Sequence, residues 1–192
     1  VKMIGWERWM SWEDTELQWF PTSPHIPTVD AVRGAAMLGI FGELGLFSMG
    51  IGTTLPFQYI GNPGMNVNEI TEELGKTQYP GVTLHQSKYR PFYGKANGKD
   101  CNGFLLKFNN DNLFTPYSTG IKIVLGIRKT HPEYFTKEQI TEKAESMFKK
   151  ATGTDELYNA FLKKASDDYI MQVARKGLTE YLKMRNKYLL YD

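Results

Sequence analysis

The longest apolar run begins after Thr28. Residues 29–45 read V-D-A-V-R-G-A-A-M-L-G-I-F-G-E-L-G, with few polar interruptions and a high Ala, Leu and Met content. Length and composition predict a helix. Thr28 is its N-cap, and Asp30 sits in the first turn, where the helix dipole favours an acid. Its glycines imply close packing against a neighbour. Residues 67–75 predict a short helix ending at Gly75. Val82–Gln86 and Asn102–Asn109 predict strands. Tyr117–Lys129 is apolar with a basic end and predicts a helix. Thr136 to Gln139 fits a capping box, opening a helix that runs through Lys150. Thr154–Lys164 predicts another, and Ser166 caps the last. In that last helix Ile170, Val173, Ala174, Gly177, Tyr181, Met184 and Tyr188 recur at helical spacing, marking one buried stripe. Val1–Ile4 reads as the end of a strand. Pro21–Pro27 is a rigid extended connector, because three prolines fix φ and forbid helix.

Composition narrows the class. The chain has 192 residues, 41% hydrophobic and 23% charged, which is enough for a real core and argues against disorder. A net charge of +2 demands neither nucleic acid nor an acidic membrane. The C-terminal lysines alternate with acids, as on a solvated helix face. With one cysteine, Cys101, neither an intrachain disulfide nor a Cys-based zinc site is possible. His25, His85 and His131 are far apart and have no metal-ligand spacing, so no metal is expected. The sequence opens at Val1 without a signal-peptide pattern. Residues 35–52 form the one membrane candidate, and Glu43 and the glycines interrupt it too often for a span.

Nucleotide motifs are missing. There is no G-x-x-x-x-G-K-[ST], no G-x-G-x-x-G at a strand–helix junction and no G-x-S-x-G elbow; no cofactor is expected. Cys101 reads as a small buried residue. Three features carry candidate chemistry. Trp6, Trp9, Trp12 and Trp19 crowd one segment, either as indoles pinning a loop or as a carbohydrate-facing wall. The stretch F-S-M-G-I-G-T-T-L-P-F-Q-Y-I-G-N-P-G, residues 47–64, is rich in glycine and proline, as at a tight crossover or a backbone that approaches a ligand closely. Glu43 is the one acid in the apolar run. A carboxyl desolvated there would have its pKa raised, the property a glycosidase acid needs. The alternative is a Glu that reaches solvent or caps a backbone group.

Longer motifs add a resemblance. G-W-x-R at Gly5 is followed by P-x-S-P-x-I-P-T from Pro21 and by the apolar helix with its Glu. S-x-G-x-G-T-T-x-P-F from Ser48 and I-G-x-P from Ile60 come next. Further on lie P-G-V (Pro80–Val82), Lys95-x-x-Gly98-x-x-Cys101-x-Gly103, Thr119-Gly120, A-x-G-T-D-E-L (Ala151–Leu157) and R-x-x-Y-L-L-Y (Arg185–Tyr191). This order resembles the NamZ peptidoglycan exo-β-N-acetylmuramidase family, long catalogued as a domain of unknown function. The resemblance covers essentially the whole chain.

The resemblance implies removal of terminal N-acetylmuramic acid from peptidoglycan fragments. It implies a Rossmann-like N-terminal domain, a smaller C-terminal α/β domain and a cleft between them. On this basis the fold class is α/β, with residues 1–58 closing the Rossmann-like domain and residues 59–192 forming the C-terminal domain with helices at its end. The upstream Rossmann-like portion, which carries the family's proposed catalytic Glu, is expected to lie outside this chain. By the motif, Glu43 is the catalytic candidate. Ser23, His25, Ser48, Thr53, Thr54 and Gln58 are the substrate-binding candidates. The partner is a peptidoglycan-derived sugar, with no nucleic acid and no membrane span, and the setting is periplasmic or secreted.

The loop also departs from the family pattern. Met49 stands where an acid is usual, Ile51 and Leu55 where arginines are usual, and Gln58 where Glu is usual. The swap exchanges a charged cleft wall for an apolar one. Arg forks onto carboxylates, so recognition of the muramyl carboxylate is expected to be lost or changed. The alternative function is a non-catalytic cell-wall glycan-binding or scaffold relative.

Overall fold

The computed structural model describes residues 2–191. The architecture is mixed α/β: a three-stranded antiparallel sheet with helices against one face. The elements in chain order are α1 (Val29–Leu44), β1 (Tyr59–Asn62), α2 (Val67–Leu74), β2 (Val82–Tyr89), β3 (Cys101–Phe108), α3 (Pro116–Thr130), α4 (Glu142–Thr152), α5 (Asp155–Leu162), α6 (Asp167–Ala174) and α7 (Leu178–Arg185).

The sheet order is β1-β3-β2. Register places Tyr59 opposite Leu105 and Tyr89 opposite Cys101. Alternation puts Ile60, Phe104 and Leu106 on the face that meets the helices, where they join the main core. The other face carries Tyr59, Tyr89 and Cys101, which with Ala96 form a second small cluster. Tyr59 and Tyr89 stack at 4.3 Å across the sheet. Between them in register lies Gly103, where a Cβ would collide with the Ile60 carbonyl oxygen. Cys101 is fully buried, and burial pushes its thiol up. It is the small buried residue its sequence context implied.

Helix α1 runs through the middle of the main core. Thr28 caps it, its side chain accepting from the Ala31 N–H. Met37, Leu38 and Phe41 are fully buried. Phe41 meets Phe148 of α4 at 6.1 Å and Phe161 of α5 edge-on at 5.8 Å. Arg128 of α3 is buried and donates to the carbonyls of Phe161 and Ala165 and to Asp167, tying α3 to the α5–α6 turn. Arg33 is the other anchor. It pairs with Glu13, Asp30 and Asp111, fastening the N-terminal segment and the β3–α3 loop to α1.

Several local expectations need correction. Val1 lies outside the described residues, and residues 2–4 form no strand. The short strand β1 escaped sequence patterning, because its four residues Y-I-G-N carry little alternation. The expected capping box at Thr136–Gln139 does not open a helix. It forms a 3-10 turn, and α4 starts at Glu142 with Thr141 as its cap. Gly75 ends α2 with right-handed helical φ and ψ rather than a left-handed cap. The last expected helix is two. Gly177 takes φ +77° and separates α6 from α7. The buried stripe therefore stops after α6, and Tyr181, Met184 and Tyr188 are exposed.

Candidate functional site

A cavity of about 530 Å³ opens between one face of α1, the glycine-rich loop and the 93–96 loop. That volume suits a small ligand. Its walls are mainly apolar, from Ile40, Phe47, Met49, Ile51 and Phe57, and its polar groups are Glu43, Ser48 and Lys95. A smaller hollow of about 290 Å³ lies alongside, lined by Pro24, His25, Gly52, Thr53, Pro56, Phe92 and Tyr93. Tyr93 lines both.

The glycine-rich loop is fixed by the sheet beneath it. Ser48 exchanges two backbone hydrogen bonds with Gly61, and its carbonyl also accepts the Tyr89 hydroxyl at 2.8 Å. The loop's permissive backbone serves contact within the protein. Gly52 takes φ +87°, and a Cβ there would lie 2.6 Å from the Tyr93 amide nitrogen. Its carbonyl accepts the Phe92 N–H at 2.8 Å. Gly52 therefore seats the aromatic loop that carries Phe92 and Tyr93. That loop is closed at its base by a bidentate Arg90–Asp100 pair.

The sequence candidates separate in space. Glu43 and Ser48 line the main cavity; His25 and Thr53 line the adjoining hollow; Ser23, Thr54 and Gln58 line neither. Glu43 is exposed and has no hydrogen bond or ion pair to another side chain among the described residues. The apolar enclosure suggested by its sequence neighbours is not built around its carboxyl. Ser23 uses its hydroxyl locally, accepting from the His25 N–H at 3.1 Å. The Thr53 hydroxyl donates to the Gly50 carbonyl and accepts from the Leu55 N–H, so it stabilises the turn. Thr54 is exposed, whereas Gln58 is 2% exposed and continues the sheet through its carbonyl, which accepts from the Leu106 N–H. Of the departures from the family pattern, Met49 and Ile51 face the cavity.

The tryptophans lie away from this cavity. Trp12 packs edge-on against Trp19, Trp19 donates to the Pro27 carbonyl, and Trp6 packs near Tyr191. Their geometry is that of pinning, while Trp9 stays exposed.

Residues 36–191 match the family described as exo-beta-N-acetylmuramidase NamZ, C-terminal. The chain belongs to the NamZ family. It is 31% identical over 191 residues to the peptidoglycan beta-N-acetylmuramidase NamZ of Bacillus subtilis (strain 168), covering 100% of this chain and 45% of that protein. Its fold is similar to that of a DUF1343 family protein from Bacteroides fragilis NCTC 9343. There the TM-score is 0.89 at 25% identity, over 98% of this chain and 49% of that one. A second DUF1343 protein of the same strain superposes with a TM-score of 0.59 at 21% identity, over 90% of this chain and 44% of that one, and shares the fold. The chain thus spans about half the length of the relatives it matches.

Two site residues were not singled out from sequence. Lys95 lies in a quoted motif, yet nothing local showed that it lines the cavity, where its Nζ donates to the Gly45 carbonyl that ends α1. Tyr93 sits in a polar, turn-rich stretch. Its aromatic neighbours were a signal, but its position follows from the packing of Gly52. No group of His, Cys, Asp and Glu among the described residues is arranged to hold a metal ion. No helix of the described residues is long and apolar enough to cross a membrane.

Proposed function

We propose that this chain supplies part of a cell-wall glycan hydrolase of the exo-β-N-acetylmuramidase type, and that its cavity receives a terminal amino sugar of a peptidoglycan fragment. One observation carries this: the cavity is walled by the α1 end, the glycine-rich loop and the segment before Gly98, three of the stretches that bear the family motifs. Glu43 would act as proton donor to the leaving oxygen or position the group that does. Ser48 and Lys95 would bind polar groups of the sugar. The setting would be periplasmic or secreted, where that substrate is found.

The proposal includes an upstream Rossmann-like domain, supported by the length of the relatives. Of residues 1–58, expected to close that domain, residues 2–28 run over the surface before α1 and would contact it. Glycosidases commonly need two carboxyl groups flanking the scissile bond. Among the described residues Glu43 is the one carboxylate lining this cavity, so the second would come from that domain.

The single carboxylate and the apolar Met49–Ile51 wall favour a second reading, a relative that binds glycans without cleaving them. A chromogenic β-N-acetylmuramide and its N-acetylglucosaminide counterpart separate the two. They would be offered to this chain, to an upstream-extended form and to both carrying Glu43→Gln. Glu43-dependent release supports the hydrolase. Sugar binding by folded protein without release from any form supports the binder.

A further inference from the structure

The hollow beside the main cavity has no role in that proposal, and its composition is specific. Phe92 and Tyr93 are 78% and 58% exposed, neighbouring aromatic rings turned to solvent rather than to a core. Exposed aromatic surface of this kind next to a cleft marks a contact site. The rings are held in place from below. Gly52 accepts the Phe92 N–H, the Pro91 carbonyl accepts the Gly98 N–H at 2.7 Å, and the Arg90–Asp100 pair closes the loop. The His25 ring stacks on Tyr93 at 5.7 Å and 19°. Neither ring nitrogen of His25 enters a hydrogen bond among the described residues. Pro24 and Pro56 complete an apolar floor. Flat rings set beside an unused polar group suit a pyranose, which offers C–H faces to aromatic rings and hydroxyls to a donor or acceptor. Continuity fixes the occupant, because Tyr93 is a wall of both spaces.

We propose that Phe92, Tyr93 and His25 form a second saccharide position, which takes the sugar ring linked to the one held in the main cavity. The assignment rests on the amino-sugar reading of that cavity. The occupied unit is then a disaccharide end, with Tyr93 beneath the linkage.

Calorimetric titration of the chain with N-acetylmuramic acid, with its disaccharide with N-acetylglucosamine, and with muramyl dipeptide tests this. The disaccharide is expected to bind on the order of tenfold more tightly than the monosaccharide, the increment of about 1.4 kcal/mol that a well-stacked ring supplies. Phe92→Ala is expected to remove that increment, and Phe92→Trp to keep it. Phe92 is exposed and lines the second hollow but not the first, so folding of these variants is not at stake. Equal affinities for monosaccharide and disaccharide would overturn the second position and leave the first intact. So would an increment that survives Phe92→Ala, or one given by the peptide instead of the second sugar. Binding of none of the three ligands would overturn the amino-sugar reading and this position with it.

Discussion

Gly52 holds the aromatic loop over the cavity, and its replacement by alanine should be costly for two separable reasons. At φ +87° an L-residue is strained whatever the space around it, at about 1–2 kcal/mol. In addition the new methyl would meet the Tyr93 backbone, with the amide nitrogen 2.6 Å and the carbonyl oxygen 2.9 Å from it. Backbone cannot swing aside as a side-chain tip does, so the 92–94 segment must move. Overpacking of this kind costs roughly 1–3 kcal/mol more. Gly98 is the control: its φ is +70°, and a Cβ there meets nothing within 4 Å. Gly98→Ala should therefore cost the backbone part alone, about 1–2 kcal/mol. Urea unfolding followed by tryptophan fluorescence would place Gly52→Ala about 1–3 kcal/mol below Gly98→Ala. Near the melting midpoint, a domain of this size loses about 2–4 °C per kcal/mol. Sugar affinity should fall in Gly52→Ala as Tyr93 is displaced. Equal destabilisation by the two substitutions would refute the claim that Gly52 exists for the close approach to Tyr93.

Phe148→Ala should destabilise the fold by about 3–5 kcal/mol in the same unfolding assay, since the ring is fully buried against Phe41, Tyr158 and Phe161. Hydrogen bonds from Arg33 hold the Glu13 carboxyl below its ordinary value of 4.5. The stability from that ion pair is therefore fully present above about pH 4.5 and is lost as pH falls through the lower folded value. Urea midpoints compared at about pH 6 and about pH 3 should fall less in Arg33→Met than in the parent. Ile51→Arg places a cation on the cavity wall, and titration should show preference for N-acetylmuramic acid over N-acetylglucosamine rising on the order of tenfold. An unchanged ratio would mean that the sugar's carboxylate does not point toward residue 51.

Local chemistry made much of the fold legible in the sequence. The Thr28 cap, the apolar run of α1, the strand signals of β2 and β3 and the caps at Thr154 and Ser166 act within a turn or a strand, so short windows report them. The family was legible too, because its motifs are long runs of specific residues in order. Tertiary structure decided the rest. β1 exists because β3 offers it a partner, and only pairing across 40 to 46 residues reveals that. The helical period past Ala174 continued on paper, but Gly177 broke it and the later apolar residues found no core. Gln58 directly follows a family motif and was a binding candidate, yet it joins the sheet and lines neither cavity. Glu43 lay in apolar sequence, yet the helix turns its carboxylate outward, because burial belongs to a helix face and not to a stretch of chain. The two hollows and the Tyr93 wall between them come from loops 40 residues apart meeting over the sheet, a contact that no local pattern encodes.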